Sequence, residues 1–333
     1  MERGQKLSVR AEYSVRGFFN PGNSCFVNVA VQVLRAIGPL VQIVERGEKG
    51  RFLGSLKEAV DTKNGRLLEV RTRFWGAVEL YLGYSPRAIR QNCACEFLRF
   101  FLVNLDEELG DRYSRPVPED SDWVEVSSRN INQSFNFRAR GKSILYEIIG
   151  MTFKSETRAK GQSSMAYQEE LVISLQIENS LTESLDKYFS EGLIEEYSVN
   201  GIPTRCKTRT LISAFSPFLI FHIQRFRVEN GRVFKVRKFV SYPKELRIPN
   251  KYLTPSLGLA VKNGSCLIPE YEVVGVVEHH GENANSGHYT CVLRSGNGWV
   301  NVDDQVVRPV DQEFVKTRSA YMLLYRQMNR ACL

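Results

Sequence analysis

The hydrophobic period of this chain changes once along its length, and that change limits the fold more than any other feature. From Phe26 the apolar residues Phe26, Val29, Ala30, Val33, Leu34 and Ile37 recur at i, i+3, i+4, i+7, i+8 and i+11, the stripe of a helix laid on a core. Gly38 and Pro39 then end that helix. Ala94, Phe97, Leu98, Phe101 and Leu105 repeat the spacing, after weaker helical segments between about 52 and 83. Past residue 140 the pattern turns to short β-rich runs bounded by turn formers: "LVISLQI", "PFLIFHIQRFRV", "YEVVGVVEHH", "HYTCVLR", "GWVNV" and "AYMLLYR". The reading is α+β, helices first and then a mainly antiparallel sheet. "LTESLDKYFSEGLIEEY" interrupts the strands with helical spacing, and "SGNG" at 295–298 predicts a hairpin turn.

Between these halves, residues 111–142 mix proline, serine, asparagine and charge without a helical period, which predicts a connection or insertion and a subdomain boundary. With 333 residues, 43% of them hydrophobic, the chain is long enough for one large core or two adjoining ones. The net charge of +8 is spread along the sequence, so nucleic acid is not an expected partner. No run is long and apolar enough to span a membrane, and the first 17 residues lack a secretory apolar stretch. Seven cysteines without a small-scaffold framework predict reduced thiols, and the cytosol or nucleus as the compartment.

Chemistry concentrates at two places. "NPGNSCFVNVAVQVL" puts Cys25 at the start of the first helix, where unpaired backbone N–H groups favour a thiolate; Gly22 lets the chain turn before it. Taken alone, this cysteine reads first as a small buried residue. A nucleophilic thiol needs an imidazole, and the chain offers only His222, His279, His280 and His288. His222 lies within the apolar run "LIFHI" and reads as a core or sheet-surface histidine. His288, between Gly287 and Tyr289 where a loop enters a strand, is the first choice for the base. After the predicted hairpin turn, Asp303 and Asp304 return beside that strand, in place to orient an imidazole. The amide of Asn20, five positions before Cys25, and the Cys25 N–H are candidate oxyanion donors.

These segments resemble the ubiquitin-specific proteases, papain-like cysteine peptidases that cleave after the C-terminal glycine of ubiquitin. "GFFNPGNSCFVNVAVQVL" is similar to their cysteine box, and "GVVEHHGENANSGHYTCVLRSGNGWVNVDDQVV" to their histidine box. "PFLIFHIQRFRV" resembles the strand that in the family ends in Lys-Arg-Phe. The resemblance covers residues 17–327, leaving 1–16 as a lead-in and 328–333 as a tail. It implies a helical thumb over about 17–110, with β fingers and a β palm over about 140–327. It further implies Cys25 as nucleophile, His288 as general base and acid, Asp303 as its orienting partner, Asn20 as oxyanion donor and Asp304 as a second, assisting acid. Gln91, Glu96, Gly287 and Tyr289 match positions that contact substrate. The partner implied is ubiquitin or a ubiquitinated protein, met by a monomer without a cofactor.

The chain departs from the family in three ways. Many relatives carry two Cys-x-x-Cys pairs in the fingers, whereas residues 140–215 hold only Cys206 and no histidine, too few ligands for a zinc site; zinc-free fingers are expected. Cys93 and Cys95 form a Cys-x-Cys pair with no evident further ligands. In "QNCACEFL", Cys93 stands where the family has an aspartate, leaving Glu96 to meet the arginine-containing tail of ubiquitin. Ser24 and Val29 replace the usual Thr and Ser around the cysteine. These changes define the rival readings: a ubiquitin-binding pseudoenzyme, or a protease for another ubiquitin-like modifier.

Overall fold

Cys25–Arg35 forms helix α1, and all 11 of its residues are buried, the polar Asn28, Gln32 and Arg35 included. The apolar stripe in the sequence is therefore one of several faces that α1 buries. Other helices cover one side and a sheet covers the other, which makes α1 a central helix rather than a surface one. The computed structural model describes residues 15–46, 50–61, 72–83, 90–113, 133–136, 143–159, 162–199, 202–283 and 286–328. Most of the predicted lead-in and tail, and most of 111–142, lie outside them. Val15 at the end of the lead-in already packs on the core.

Pro39 ends α1 and also starts α2 (Gly38–Glu45), where it occupies the first turn; proline lacks only an N–H that has no helical partner there. Then come α3 (Arg51–Asp61), α4 (Arg73–Leu82) and α5 (Ala94–Tyr113). Phe26, Phe74, Phe97 and Phe101 interlock edge-on, tilted and stacked between α1, α4 and α5. Glu108 of α5 accepts hydrogen bonds from the N–H groups of Arg51, Phe52 and Leu53, so one helix supplies the missing N-terminal partners of another.

Strand β1 (Gln133–Asn136) falls inside the stretch read as a connection, and α5 runs three residues into it. The chain continues as α6 (Ile144–Ile149), β2 (Met151–Ala159), β3 (Gln162–Glu170), β4 (Ile173–Gln176), α7 (Leu181–Phe189), β5 (Gly192–Val199), β6 (Ile202–Ala214), β7 (Phe218–Gln224), β8 (Phe226–Glu229), β9 (Arg232–Lys235) and β10 (Glu245–Arg247). After a 3-10 turn at Asn250–Tyr252 follow α8 (Pro255–Lys262), β11 (Glu270–Asn283), β12 (Ser286–Ser295), β13 (Gly298–Asp303), β14 (Val306–Val310), α9 (Gln312–Lys316) and β15 (Ala320–Gln327).

Two sequence expectations change in detail. The helical spacing of 181–197 stops at Phe189, because Ser190 turns extended and "GLIEEY" pairs with β6 as β5. "PFLIFHIQRFRV" is two strands, not one. It breaks at the buried Arg225, and β8 and β9 form a separate hairpin around Asn230 and Gly231, both at positive φ.

The finger sheet has the order β1-β3-β2-β6-β5 and the palm sheet β14-β13-β12-β11-β15-β7-β4, with β10 added to β11. Pairing is antiparallel except for β1 with β3 and β4 with β7. The central palm strands bury both faces. In β12, Cys291 and Leu293 face α1 and the thumb core, while Val292 faces a second core shared with α7 and the base of the fingers. Burial on both sides explains why β7 and β11 read as unbroken apolar runs. The N-terminus of α1 thus lies against the end of the palm where β11 turns into β12.

Candidate active site

A short docking of two distant segments builds the site. The Phe18 N–H donates to the Asp304 carbonyl at 2.8 Å. A Cβ on Gly17 would fall 2.3 Å from the Gln305 carbonyl oxygen, so the approach requires glycine. This contact sets the loop before α1 against the turn between β13 and β14, in which Asp304 adopts a positive φ of 48°.

Cys25 opens α1, and its N–H, like others of the first turn, has no partner within the helix. Cys25 is 1% exposed. Cys25 is close enough to be the largest influence raising the His288 pKa, and His288 Nε2 lies 2.6 Å from Asp303 Oδ1. With Nε2 committed to the carboxylate, Nδ1 is the ring nitrogen left to exchange a proton with the sulfur. Cys25 first and then the bond to Asp303 raise the imidazole to about 9 against partial desolvation. His288 is therefore an imidazolium at neutral pH, a charge that stabilises negative charge on the sulfur.

Asn20 is fixed from both ends. Its Oδ1 accepts from Gly22 N, Ser24 N and Ser24 Oγ at 2.8–3.1 Å, and its Nδ2 donates to Asp304 Oδ2 at 2.7 Å. One amide hydrogen is left for a developing oxyanion. Asp304 has a different partner set from the one expected of a second acid beside His288: its Oδ1 accepts from Asn28 Nδ2 at 2.8 Å, so its hydrogen bonds hold amides. Asn28, which also donates to the Phe18 carbonyl at 3.3 Å, was missed in the sequence. Its signal is an amide three positions after Cys25 in an otherwise apolar helical turn. The donor atoms of His288, Asp303 and Asp304 lie within 4.8 Å of one another, but these hydrogen bonds already use them.

Of the other histidines, burial pushes His222 and His279 down to about 4, so both stay neutral near pH 7. His222 Nδ1 contacts Ser174 Oγ at 3.1 Å, in keeping with its reading as a sheet histidine. His280 faces His288 across the β11–β12 ladder and bonds Thr290 Oγ1 at 2.8 Å.

A cleft of about 490 Å³ opens beside these groups, lined by Asn23, Arg90, Gln91, Ser286 and Gly287. Two expected substrate positions, Gln91 and Gly287, are on its wall. Gly287 has φ 148°, and a Cβ there would strike the His280 carbonyl at 2.3 Å and His279 Nε2 at 2.5 Å. Glu96 is exposed in the first turn of α5 and is not part of that wall. Tyr289 departs from its expected role: it is 1% exposed, with its ring against His279 and Tyr321, so it backs the site instead of lining it. The Cys93 sulfur sits 2.8 Å from the Tyr321 hydroxyl and accepts from the Glu96 N–H at 3.4 Å. Burial raises its pKa, so a neutral capping thiol stands where the family has an anion.

The sequence model of the family described as ubiquitin carboxyl-terminal hydrolase matches residues 16–325. Ubiquitin carboxyl-terminal hydrolase 24 of Arabidopsis thaliana is 25% identical over 95% of this chain and 65% of its own length. Ubiquitin carboxyl-terminal hydrolase 10 of Xenopus tropicalis is 28% identical over 94% of this chain and 48% of its own. The chain therefore spans about half to two thirds of the length of these two relatives. Among solved structures, the yeast SAGA DUB module superposes with a TM-score of 0.71 at 21% identity, covering 98% of this chain and 71% of that one. A SAGA DUB module bound to monoubiquitin gives 0.69 at 20%, covering 95% and 69%.

Proposed function

The chain belongs to the ubiquitin carboxyl-terminal hydrolase family, and from that premise we infer that it is a cysteine deubiquitinase, hydrolysing the isopeptide or peptide bond after the C-terminal glycine of ubiquitin. One observation carries the reading: Cys25 at a helix start, beside a His288 whose Nε2 is 2.6 Å from Asp303 Oδ1. A binding module has no need of that alignment.

In the proposed reaction the Cys25 sulfur attacks the glycine carbonyl carbon, and the oxyanion is met by the Asn20 amide and the Cys25 N–H. His288 gives its proton to the leaving amine as the C–N bond breaks, leaving a thioester. The neutral imidazole then takes a proton from water, the resulting hydroxide attacks the thioester, and free ubiquitin leaves as the Cys25 thiolate and the His288 imidazolium are restored. Asp303 keeps the imidazole in one orientation through both steps. Free thiols at Cys25, Cys93, Cys95, Cys206, Cys266 and Cys291 support a reducing compartment, cytosol or nucleus.

Covalent capture tests the reading. Purified protein is mixed with ubiquitin bearing a C-terminal electrophile and read by intact mass, beside Cys25→Ala and His288→Ala. The expected result is one ubiquitin-sized adduct, absent in Cys25→Ala and much slower to form in His288→Ala. Folded protein that binds ubiquitin without an adduct would overturn catalysis in favour of a pseudoenzyme. Protein that neither binds nor reacts would point to another modifier.

A further inference from the structure

Strand β15 pairs with β11 only as far as Glu278, yet β11 continues to Asn283 and carries the turn that leads to His288. Beyond the ladder, the carbonyls of His279 and Gly281 are both taken by one side chain, Lys235, whose Nζ donates to them at 2.7 and 2.8 Å. These carbonyls flank His280, the direct cross-strand partner of His288.

We propose that Lys235 is a positioning residue for the catalytic base, its ammonium replacing a missing strand along the last part of β11. The inference rests on the deubiquitinase reading above.

The anchor is itself secured. Lys235 ends β9, in register with Phe226. Directly behind it, the buried Arg225 donates from Nε to the Ala320 carbonyl at 2.8 Å and from one terminal nitrogen to the carbonyls of Val236 and Lys238 at 3.2 and 2.8 Å. The segment 235–238 is thus fastened to the start of β15. A second link follows, in which Arg237 forms an ion pair with Glu282. The path runs from β15 through Arg225 and Lys235 to the backbone opposite His288.

The crowding at the turn makes this support consequential. Gly281 and Gly287 touch so closely that a Cβ on Gly281 would fall 2.7 Å from the Gly287 Cα, so a shift of β11 at Gly281 moves the residue that precedes His288. Misplacement of a base by an ångström costs about a hundredfold in rate. Fully exposed ion pairs do little of this kind, whereas Lys235 is half-buried and bonded to backbone.

The test compares Lys235→Met, Lys235→Gln and Lys235→Arg with wild type, all checked for an unchanged far-ultraviolet circular dichroism spectrum. Three readouts are taken: turnover of a fluorogenic ubiquitin C-terminal substrate, the rate of Cys25 alkylation by iodoacetamide, and amide exchange at 280–283 and 286–288. In Lys235→Met and Lys235→Gln, kcat is expected to fall about tenfold to a hundredfold with KM within about threefold. Alkylation should slow and exchange quicken, and Lys235→Arg should recover most of both. Unchanged exchange and alkylation in Lys235→Met and Lys235→Gln overturn the proposal. If wild type fails to turn over the ubiquitin substrate, the function falls instead, and exchange with alkylation alone decide whether Lys235 anchors the turn.

Discussion

The Asn20 side-chain amide donates to the Asp304 carboxylate at 2.7 Å, joining the loop before the nucleophile to the turn after β13. The same carboxylate receives Asn28 from inside α1 at 2.8 Å. Asp304 thereby holds the Asn20 amide and Asp303 the imidazole, so the adjacent acids hold two different groups of the candidate site. Hydrogen bonds to a charged acceptor are the strong ones, and this pair fixes which way the Asn20 amide faces.

Removing either partner should therefore cost the same step. Asp304→Ala is expected to lower kcat by about tenfold to a hundredfold, near the range for loss of an oxyanion donor, with KM changed by less than about threefold. Asn20→Ala should do the same, and the double variant should be little slower than the slower single one, because the two act as a unit. Steady-state kinetics of the three variants checks this, and additive losses would separate Asp304 from Asn20.

Proton inventory gives a second prediction. His288 is raised to about 9, by Cys25 first and then by Asp303, so the protonated form that the proposed reaction needs at the leaving amine persists through neutral pH. The alkaline limb of kcat/KM should lie near pH 9 and move to lower pH in Asp303→Ala, since removing a group that favours the cation lowers the imidazole pKa. A pH–rate series on both proteins reads the shift directly. An alkaline limb that stays in place would detach Asp303 from His288.

How much of this was legible beforehand follows from how local each signal is. The α1 stripe, the β-runs and the residues Cys25, His288 and Asp303 are readable because periodicity and turn chemistry act over a few residues. Burial of α1 on all sides was not, since it depends on strand β12, more than 250 positions further along the chain. The partners of Asp304 were hidden for the same reason: Asn20 is 284 positions distant. Arg225 hid inside an apolar run, and only the Asn230-Gly231 pair beyond it marked a hairpin. Tyr289 was misplaced because a residue beside a catalytic histidine on a strand points to the opposite face.

Acid stability should track two neutral histidines. Burial lowers His222 and His279 to about 4, below the ordinary 6.5, so between these values the unfolded chain binds protons that the folded one does not, and stability falls as pH drops through that window. Among the described residues neither ring nitrogen of His279 has a hydrogen-bond partner, and the residue is 6% exposed. Replacing it with leucine should cost little at pH 7 and remove about 2 kcal/mol of the loss at pH 5. Urea melts of wild type and His279→Leu at both pH values measure it. An equal loss in the two proteins would assign the acid sensitivity elsewhere.

Tail recognition supplies the last prediction. Glu96 is exposed in the first turn of α5, while Cys93, at the position of the family aspartate, is a neutral thiol turned toward Tyr321. The cleft wall beside Cys25 adds Arg90 and no carboxylate. On the deubiquitinase reading proposed above, a cationic ubiquitin tail would meet one acid here where the family offers two, and Glu96→Ala should raise KM for a ubiquitin substrate by about threefold to tenfold with kcat retained. Cys93→Asp should lower KM by a similar factor. The new carboxylate sits at a helix N-terminus, where the dipole favours it, and can still accept from the Tyr321 hydroxyl. An unchanged KM in Glu96→Ala would remove this helix end from tail recognition. A raised KM in Cys93→Asp would mean that the cysteine suits a less basic tail than that of ubiquitin, and competition between probes built from different modifiers would then identify which.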